Sequence, residues 1–257
     1  MKLRELLQQI LEVQQSIGSS KPYICGGTPR DRYLDRLKDL SDLDITTGDN
    51  TIDYLSQEFA EKFKREYNIV RKTMSDGHSS IYIGQFKLDF SSNFIVPNIE
   101  QILAKMGIKN PSDIKKEIFS RDFTCNALLL DFDLKTVYDP TGRAFADLKE
   151  KKIKTCLAPE ITLTSNKNRV VRAIYLAAKL DFDVDKPIIE FVKKNPDSIK
   201  ISSEKSLAEK LNEAFAKDAD KASYLLTQMG LWNYVPITEP MRPYYAKHVK
   251  GNINVAK

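Results

Sequence analysis

Tyr23-Ile-Cys-Gly-Gly-Thr-Pro-Arg-Asp31 is followed closely by Ser41-Asp-Leu-Asp-Ile45, and these two segments decide how the chain is read. An apolar run, Tyr23 to Cys25, leads into paired glycines and then Arg30-Asp31, and further on Asp42 and Asp44 flank a single leucine. Side chains at i and i+2 of a strand project to the same face. Asp42 and Asp44 can therefore hold hard cations together while Leu43 faces a core. Glycine lets a turn bring backbone N–H groups close to an anion. A phosphate cradle beside a two-carboxylate metal platform is what transfer of a nucleotide from a triphosphate requires. Taken singly, the Gly-Gly also reads as an ordinary turn and the Asp-x-Asp as a solvated strand end. Their order and proximity join them.

The pattern resembles the head domain of class II tRNA nucleotidyltransferases and bacterial poly(A) polymerases, within the DNA polymerase β superfamily. That family's first motif reads Gly-Gly-x-Val-Arg-Asp and then Asp-x-Asp; here Pro29 stands in place of the valine. Ser120-Arg-Asp-Phe-Thr-Cys-Asn-Ala-Leu128 resembles the second motif, Arg-Arg-Asp-Phe-Thr-x-Asn-Ala, with Ser120 replacing its first arginine. Asp139-Pro-Thr-Gly142 and Ala146-Asp-Leu-Lys149 are similar to the segment that follows it. Arg169-Val-Val-Arg-Ala-Ile-Tyr-Leu-Ala-Ala-Lys-Leu180 resembles the helix with the family's base-reading arginines. The matches occur in the family's order over residues 20–182.

The resemblance implies Asp42 and Asp44 as catalytic ligands of Mg²⁺, with Asp89 of Phe86-Lys-Leu-Asp-Phe90 as a third acid. Asp89 also reads as an exposed strand aspartate. Gly26, Gly27 and Arg30 are expected to form the triphosphate cradle, with Asp31 orienting Arg30 or capping a short helix. Arg121 is expected at a phosphate or ribose. Asp122 and Asn126 lie four apart, so on a helix they share a face; they bond ribose hydroxyls, order the site, or cap the helix. Arg169 and Arg172, three apart on one helix, are expected to face the nucleotide, since the planar guanidinium donates in fixed directions. Tyr175 and Lys179 continue that face, which also reads as solvated charge beside a half-buried tyrosine.

Periodicity predicts an α+β architecture: a small mixed sheet packed by helices at 1–155, which the resemblance makes a nucleotidyltransferase head, then an all-helical neck or body at 156–235 and a tail at 236–257 with little regular structure. Apolar residues from Leu3 to Val13 recur at helical spacing and predict a helix over 3–17 closed by Gly18. Strands are expected at 22–25, 42–46, 68–73, 79–83 and 86–91, and helices at 29–37, 51–67, 98–107 and 111–119. After residue 158 the pattern is helical, at 164–180, 186–195, 203–216 and 219–229, with no strand signal.

The chain has 257 residues and carries 40 Lys+Arg against 35 Asp+Glu, a net +5 that permits a polyanionic partner without demanding one. Cys25, Cys125 and Cys156 form neither a metal spacing nor an even disulfide set. They point to a reducing, cytoplasmic setting. No apolar run reaches membrane-spanning length, and the amphipathic Met1–Leu11 segment reads as an ordinary helix rather than a targeting peptide.

Two departures from the family bear on function. Its base-reading motif is Glu-Asp-x-x-Arg, whereas this chain has Ser165-Asn-Lys-Asn-Arg169. A carboxylate only accepts hydrogen bonds, while Ser and Asn both donate and accept, so base choice is expected to differ or relax. The helical part after the head is also shorter than the family's usual body, which implies weak RNA grip by this chain alone, or help from a partner protein or homo-oligomer. The leading expectation is a template-independent enzyme adding nucleotides from CTP or ATP to an RNA 3′ end, with tRNA CCA addition or repair ahead of poly(A) synthesis. A catalytically inactive RNA- or nucleotide-binding homologue is the competing class. The intact Asp42/Asp44 pair argues against it, because close carboxylates without a cation repel. Nucleotidyl transfer to a small molecule shares the head chemistry but leaves the second-motif and neck resemblances unexplained.

Overall fold

The structure is a computed structural model describing residues 2–37, 40–74, 78–92, 94–201 and 203–255. It divides into two compact units, residues 1–145 and 146–257.

The first unit contains, in order, α1 (Leu3–Ile17), β1 (Tyr23–Cys25), α2 (Gly27–Tyr33), β2 (Asp42–Thr46), α3 (Thr51–Phe63), β3 (Ile69–Thr73), β4 (Ser79–Ile83), β5 (Phe86–Phe90), α4 (Ile99–Lys105), α5 (Asp113–Ser120), β6 (Leu129–Leu130) and β7 (Val137–Tyr138). The strands form one mixed sheet in the order β3-β4-β5-β2-β1-β6-β7, with β2 and β5 parallel. α1 ends where Gly18 takes the left-handed conformation at φ 66°, the role of a C-terminal glycine.

Alternation along the strands decides which face is covered. Ile24, Leu43, Ile45, Ile81, Ile83, Leu88 and Phe90 form one core with Leu6, Leu7, Ile10 and Val13 of α1 and Ile52, Leu55, Phe59 and Phe63 of α3. The residues between them, Asp42, Asp44, Lys87 and Asp89, therefore point to the opposite face. The sheet buries its apolar side beneath two helices and turns its charged side outward, and the core sets where the site lies.

The second unit holds α6 (Ala144–Lys149), which straddles the division, β8 (Lys152–Ile153), α7 (Pro159–Ser165), α8 (Asn168–Leu180), β9 (Asp183–Val184), α9 (Lys186–Lys194), α10 (Glu204–Lys217), α11 (Ala219–Gln228) and α12 (Arg242–Val255). Buried Val170, Ala173, Ile174 and Ala177 of α8 face α10 and α11, whose own buried residues include Leu207, Leu211, Ala222 and Leu226. Side chains cap two helices: Ser203 accepts from the Ser206 N–H, and Asp218 from the Lys221 N–H.

Three features differ from the sequence expectation. The division falls after Phe145 rather than at 155, because β8 pairs in parallel with β9 and Lys154 ion-pairs with Asp147 at 2.7 Å. The second unit thus contains a short two-stranded element where no strand was expected. The single helix expected at 164–180 is two, since Asn166 is extended at φ −154° and separates α7 from α8. The segment expected to be an irregular tail carries α12, where Tyr244 packs edge-on against Phe215 at 5.6 Å between ring centroids.

Phe59 is fully buried with its ring 5.2 Å from that of Phe63. Phe59→Ala is expected to cost about 3–5 kcal/mol of head stability, measured by urea denaturation.

Candidate active site

β1 and β2 run antiparallel with Cys25 opposite Asp44, which brings the diglycine bend onto the aspartates. Gly26 has φ 74°, and a Cβ built there would lie 2.5 Å from Asp44 Oδ2. Only a residue without a side chain admits the carboxylate so close to the turn. Gly27 opens α2, and a Cβ on it would meet Arg30 Nη2 at 3.0 Å. On the other side of β2, the parallel register sets Asp42 beside Lys87 and Asp44 beside Asp89. The three acids named from the sequence thus share one sheet face.

Their electrostatics are uneven. The crowded protein surroundings push the Asp44 carboxyl above its ordinary pKa; the Arg121 guanidinium pulls it back down, and the Asp89 and Asp42 charges push it further up. Lys87 Nζ ion-pairs with Asp89 and lies 3.4 Å from Asp42 Oδ1. Its hydrogen bond to Asp89 raises the Lys87 pKa against the opposing effect of burial. Asp89 Oδ1 also accepts from Ser80 Oγ at 2.6 Å. Among the described residues Asp44 has no ion pair or side-chain hydrogen bond.

These residues fit a hard divalent cation. All the donors are carboxylate oxygens, which suit Mg²⁺, and the Lys87 ammonium already supplies a positive charge between Asp42 and Asp89. Among the described residues no three His, Cys, Asp or Glu side chains form a closed metal site. Two or three carboxylates would leave most positions on such a cation to be filled by other ligands.

The second motif supports this platform from behind. Asp122 and Asn126 lie on no α-helix: Arg121 ends α5 with extended backbone, and only Thr124–Asn126 makes a 3₁₀ turn. Asp122 Oδ1 accepts from the Phe123 N–H at 2.7 Å and from Asn126 Nδ2 at 3.4 Å. Arg30 is 2% exposed. It donates from Nη1 to Asn126 Oδ1 at 2.6 Å and forks onto Asp31 at 2.8 and 2.9 Å. Arg30 is thus a brace between α2 and the 3₁₀ turn beside the diglycine bend, and Asp31 orients it.

The Arg121 side chain is 11% exposed and donates from Nη2 to Glu117 Oε1 at 2.5 Å, within a turn of α5. Burial works against its charge, but Cys25 and Glu117 outweigh that and raise its pKa above the ordinary value. Burial drives the Cys25 thiol up to about 12 despite the neighbouring Arg121, so it stays protonated.

In the helical unit, Arg169 and Arg172 differ in exposure. Arg169 is buried and donates from Nη1 to the Thr162 carbonyl at 3.0 Å and to Ser165 Oγ at 2.8 Å. Arg172 lies on the exposed side of α8, as does Lys179, whose ammonium sits 5.8 Å from the Tyr175 ring.

Sequence reasoning missed Lys87, Glu117 and Thr46. Lys87 was legible, since it shares a strand face with Asp89 two residues on. Glu117 lies four residues before Arg121, the spacing of a helical ion pair. Thr46, the next residue on the face of Asp42 and Asp44, carried no signal beyond alternation.

A mixed sheet presenting i and i+2 carboxylates beside a diglycine bend defines a nucleotidyltransferase-type head. Residues 22–154, just over half the chain, match the poly A polymerase head domain, and the chain belongs to that family. It is 26% identical over 213 residues to an A-adding tRNA nucleotidyltransferase of Aquifex aeolicus, covering 78% of this chain and 22% of that protein. It is 26% identical over 196 residues to a CCA-adding enzyme of Streptococcus pyogenes, covering 73% and 44% respectively. The chain therefore spans less than half the length of either relative. The solved structure of a Thermotoga maritima CCA-adding enzyme complexed with tRNA-CCA shares the fold at a TM-score of 0.68 and 22% identity, over 89% of this chain and 51% of that one. No helix among the described residues is long and apolar enough to cross a membrane.

The raised Asp44 pKa has a consequence for stability. The folded state holds the Asp44 proton more tightly than the unfolded state, so ionisation at neutral pH costs stability that is present in acid. Asp44→Asn is expected to raise the Tm at about pH 7, and the gain to vanish near pH 3, where the native carboxyl is itself protonated. Scanning calorimetry without divalent ions checks this.

Proposed function

We propose that the chain is a template-independent RNA nucleotidyltransferase, transferring nucleotides from CTP or ATP to an RNA 3′ end, with tRNA CCA addition or repair as its work. One observation carries this reading: Asp42 and Asp44 leave the same face of β2, with the Asp44 carboxylate against Gly26 of the diglycine bend. The reaction joins the terminal 3′ hydroxyl to the α-phosphorus and releases pyrophosphate. Mg²⁺, when bound, polarises phosphoryl oxygen and favours ionisation of the attacking hydroxyl. Asp42 and Asp44 hold that ion, and Asp89, steadied by Ser80 and Lys87, adds negative charge at the edge of the platform. The Gly26-Gly27 turn receives the triphosphate, and the Arg30–Asn126 brace keeps that turn in place.

The relatives named above are an A-adding tRNA nucleotidyltransferase and a CCA-adding enzyme, which supports tRNA as the acceptor. Base choice is the open part of the reading. Ser165 occupies the place of the family's glutamate and bonds Arg169. A serine hydroxyl donates as well as accepts where a carboxylate only accepts, which favours relaxed selection between CTP and ATP. Poly(A) synthesis is the second reading that this substitution supports. A cytoplasmic setting, and RNA grip supplied in part by a partner protein or a second copy, belong to the same proposal.

The decisive assay incubates the protein with Mg²⁺, tRNA lacking its 3′ end, and labelled CTP and ATP, separately and together. Growth by two C and one A is expected, whereas long ladders with ATP alone would identify a poly(A) polymerase. Asp42→Ala with Asp44→Ala is expected to abolish incorporation while circular dichroism stays native. Wild-type protein inert with every RNA and triphosphate would favour the binding homologue.

A further inference from the structure

Glu117 is 0% exposed and both its oxygens are occupied. Oε1 accepts from Arg121 Nη2 at 2.5 Å, and Oε2 accepts from Thr46 Oγ1 at 2.5 Å. The Thr46 hydroxyl in turn accepts from the Gly48 N–H at 2.9 Å, so its proton is committed to Glu117. Thr46 lies two residues beyond Asp44 on the same face of β2, so the Thr46–Glu117–Arg121 chain begins beside that carboxylate. The guanidinium is thus held at the flank of the carboxylate face. It is not fully satisfied there, because Arg121 Nε is buried without a partner among the described residues. Asp44, close by, is itself unpaired.

We propose that Glu117 is a positioning residue for the carboxylate centre: braced by Thr46, it holds the Arg121 guanidinium to one side of β2's acidic face and keeps that cation from closing on Asp44. An arginine fork matches a carboxylate bidentately, and a carboxylate clamped in that way has no oxygen left for a divalent ion. Glu117 supplies a competing acceptor at a fixed point, so Arg121 influences Asp44 through its field, which favours the ionised carboxylate, without occupying it. This inference rests on Asp44 as a metal ligand.

Mn²⁺ binding, followed by electron paramagnetic resonance without nucleotide on protein shown to be folded by circular dichroism, tests it. Glu117→Gln removes the acceptor charge and frees Arg121; Mn²⁺ affinity is expected to fall about tenfold, the scale of one charge-assisted hydrogen bond. Glu117→Gln combined with Arg121→Met removes both buried charges, avoids an uncompensated ion, and is expected to return Mn²⁺ affinity close to wild type. A purely structural role predicts a different pattern, in which Tm falls and recovers while Mn²⁺ affinity stays constant. If Glu117→Gln alone does not fold, Thr46→Val, which removes only the brace, is expected to weaken Mn²⁺ by a smaller factor. Unchanged affinity in the folded single variant, or a double variant that binds as weakly as Glu117→Gln, overturns the proposal. Wild-type protein that binds no Mn²⁺ overturns the carboxylate reading itself, and the inference with it.

Discussion

The approach of Asp44 to Gly26 is the contact on which the rest of the site depends. The antiparallel register of β1 and β2 aligns Cys25 with Asp44, and the next residue has to lack a side chain for the carboxylate to fit. A one-residue slip of either strand would turn every side chain to the other face. The aspartates would then enter the apolar core and Leu43 would meet solvent. The burial of Leu43 and Ile45 under α1 and α3 is therefore what aims the acids.

Charge around this contact is arranged with little slack. Asp42, Asp44 and Asp89 gather on one face, and the fixed cations nearest them are Lys87 and Arg121. Lys87 holds the outer pair, and Arg121 is retained by Glu117. Asp44 has no ion pair among the described residues, and desolvation first, then the charges of Asp89 and Asp42, raise its pKa against the pull of Arg121. Strain of this sort persists where surrounding packing over-determines it and is a common property of functional sites.

How much of this the sequence disclosed depended on whether the signal was local. Strand alternation placed Asp42 and Asp44 correctly because the period of two is a property of the strand itself, and the Gly26-Gly27 bend followed from the absent Cβ. Asp89 was found through the strand that carries it, though its pairing with β2 is a register no spacing reveals. Arg30, Arg121 and Arg169 were expected to face a ligand, and spacing did not disclose the protein partners each guanidinium bonds, Asn126, Glu117 and Thr162. A buried brace and an exposed fork use the same residue type, and only tertiary packing separates them. The boundary after Phe145 was hidden for a related reason, since β8 is too short to read as a strand until β9 lies beside it. The helix at Arg242–Val255 escaped notice because its sequence lacks a clear apolar stripe to mark it.

The position of β1 in the sheet sets the order in which the head can be completed. This three-residue strand is flanked by β2 on one side and by β6, residues 129–130, on the other, and the Arg30–Asn126 bond spans 96 positions. Closing so long an interval is entropically costly and slow compared with forming local hairpins. As the polypeptide leaves the ribosome, β1 keeps one bare edge until nearly the whole head has emerged. The early hairpin of β4 and β5 acquires its chemistry only when the last central strand docks, so a chain truncated before that point would have the acids but no scaffold to hold them.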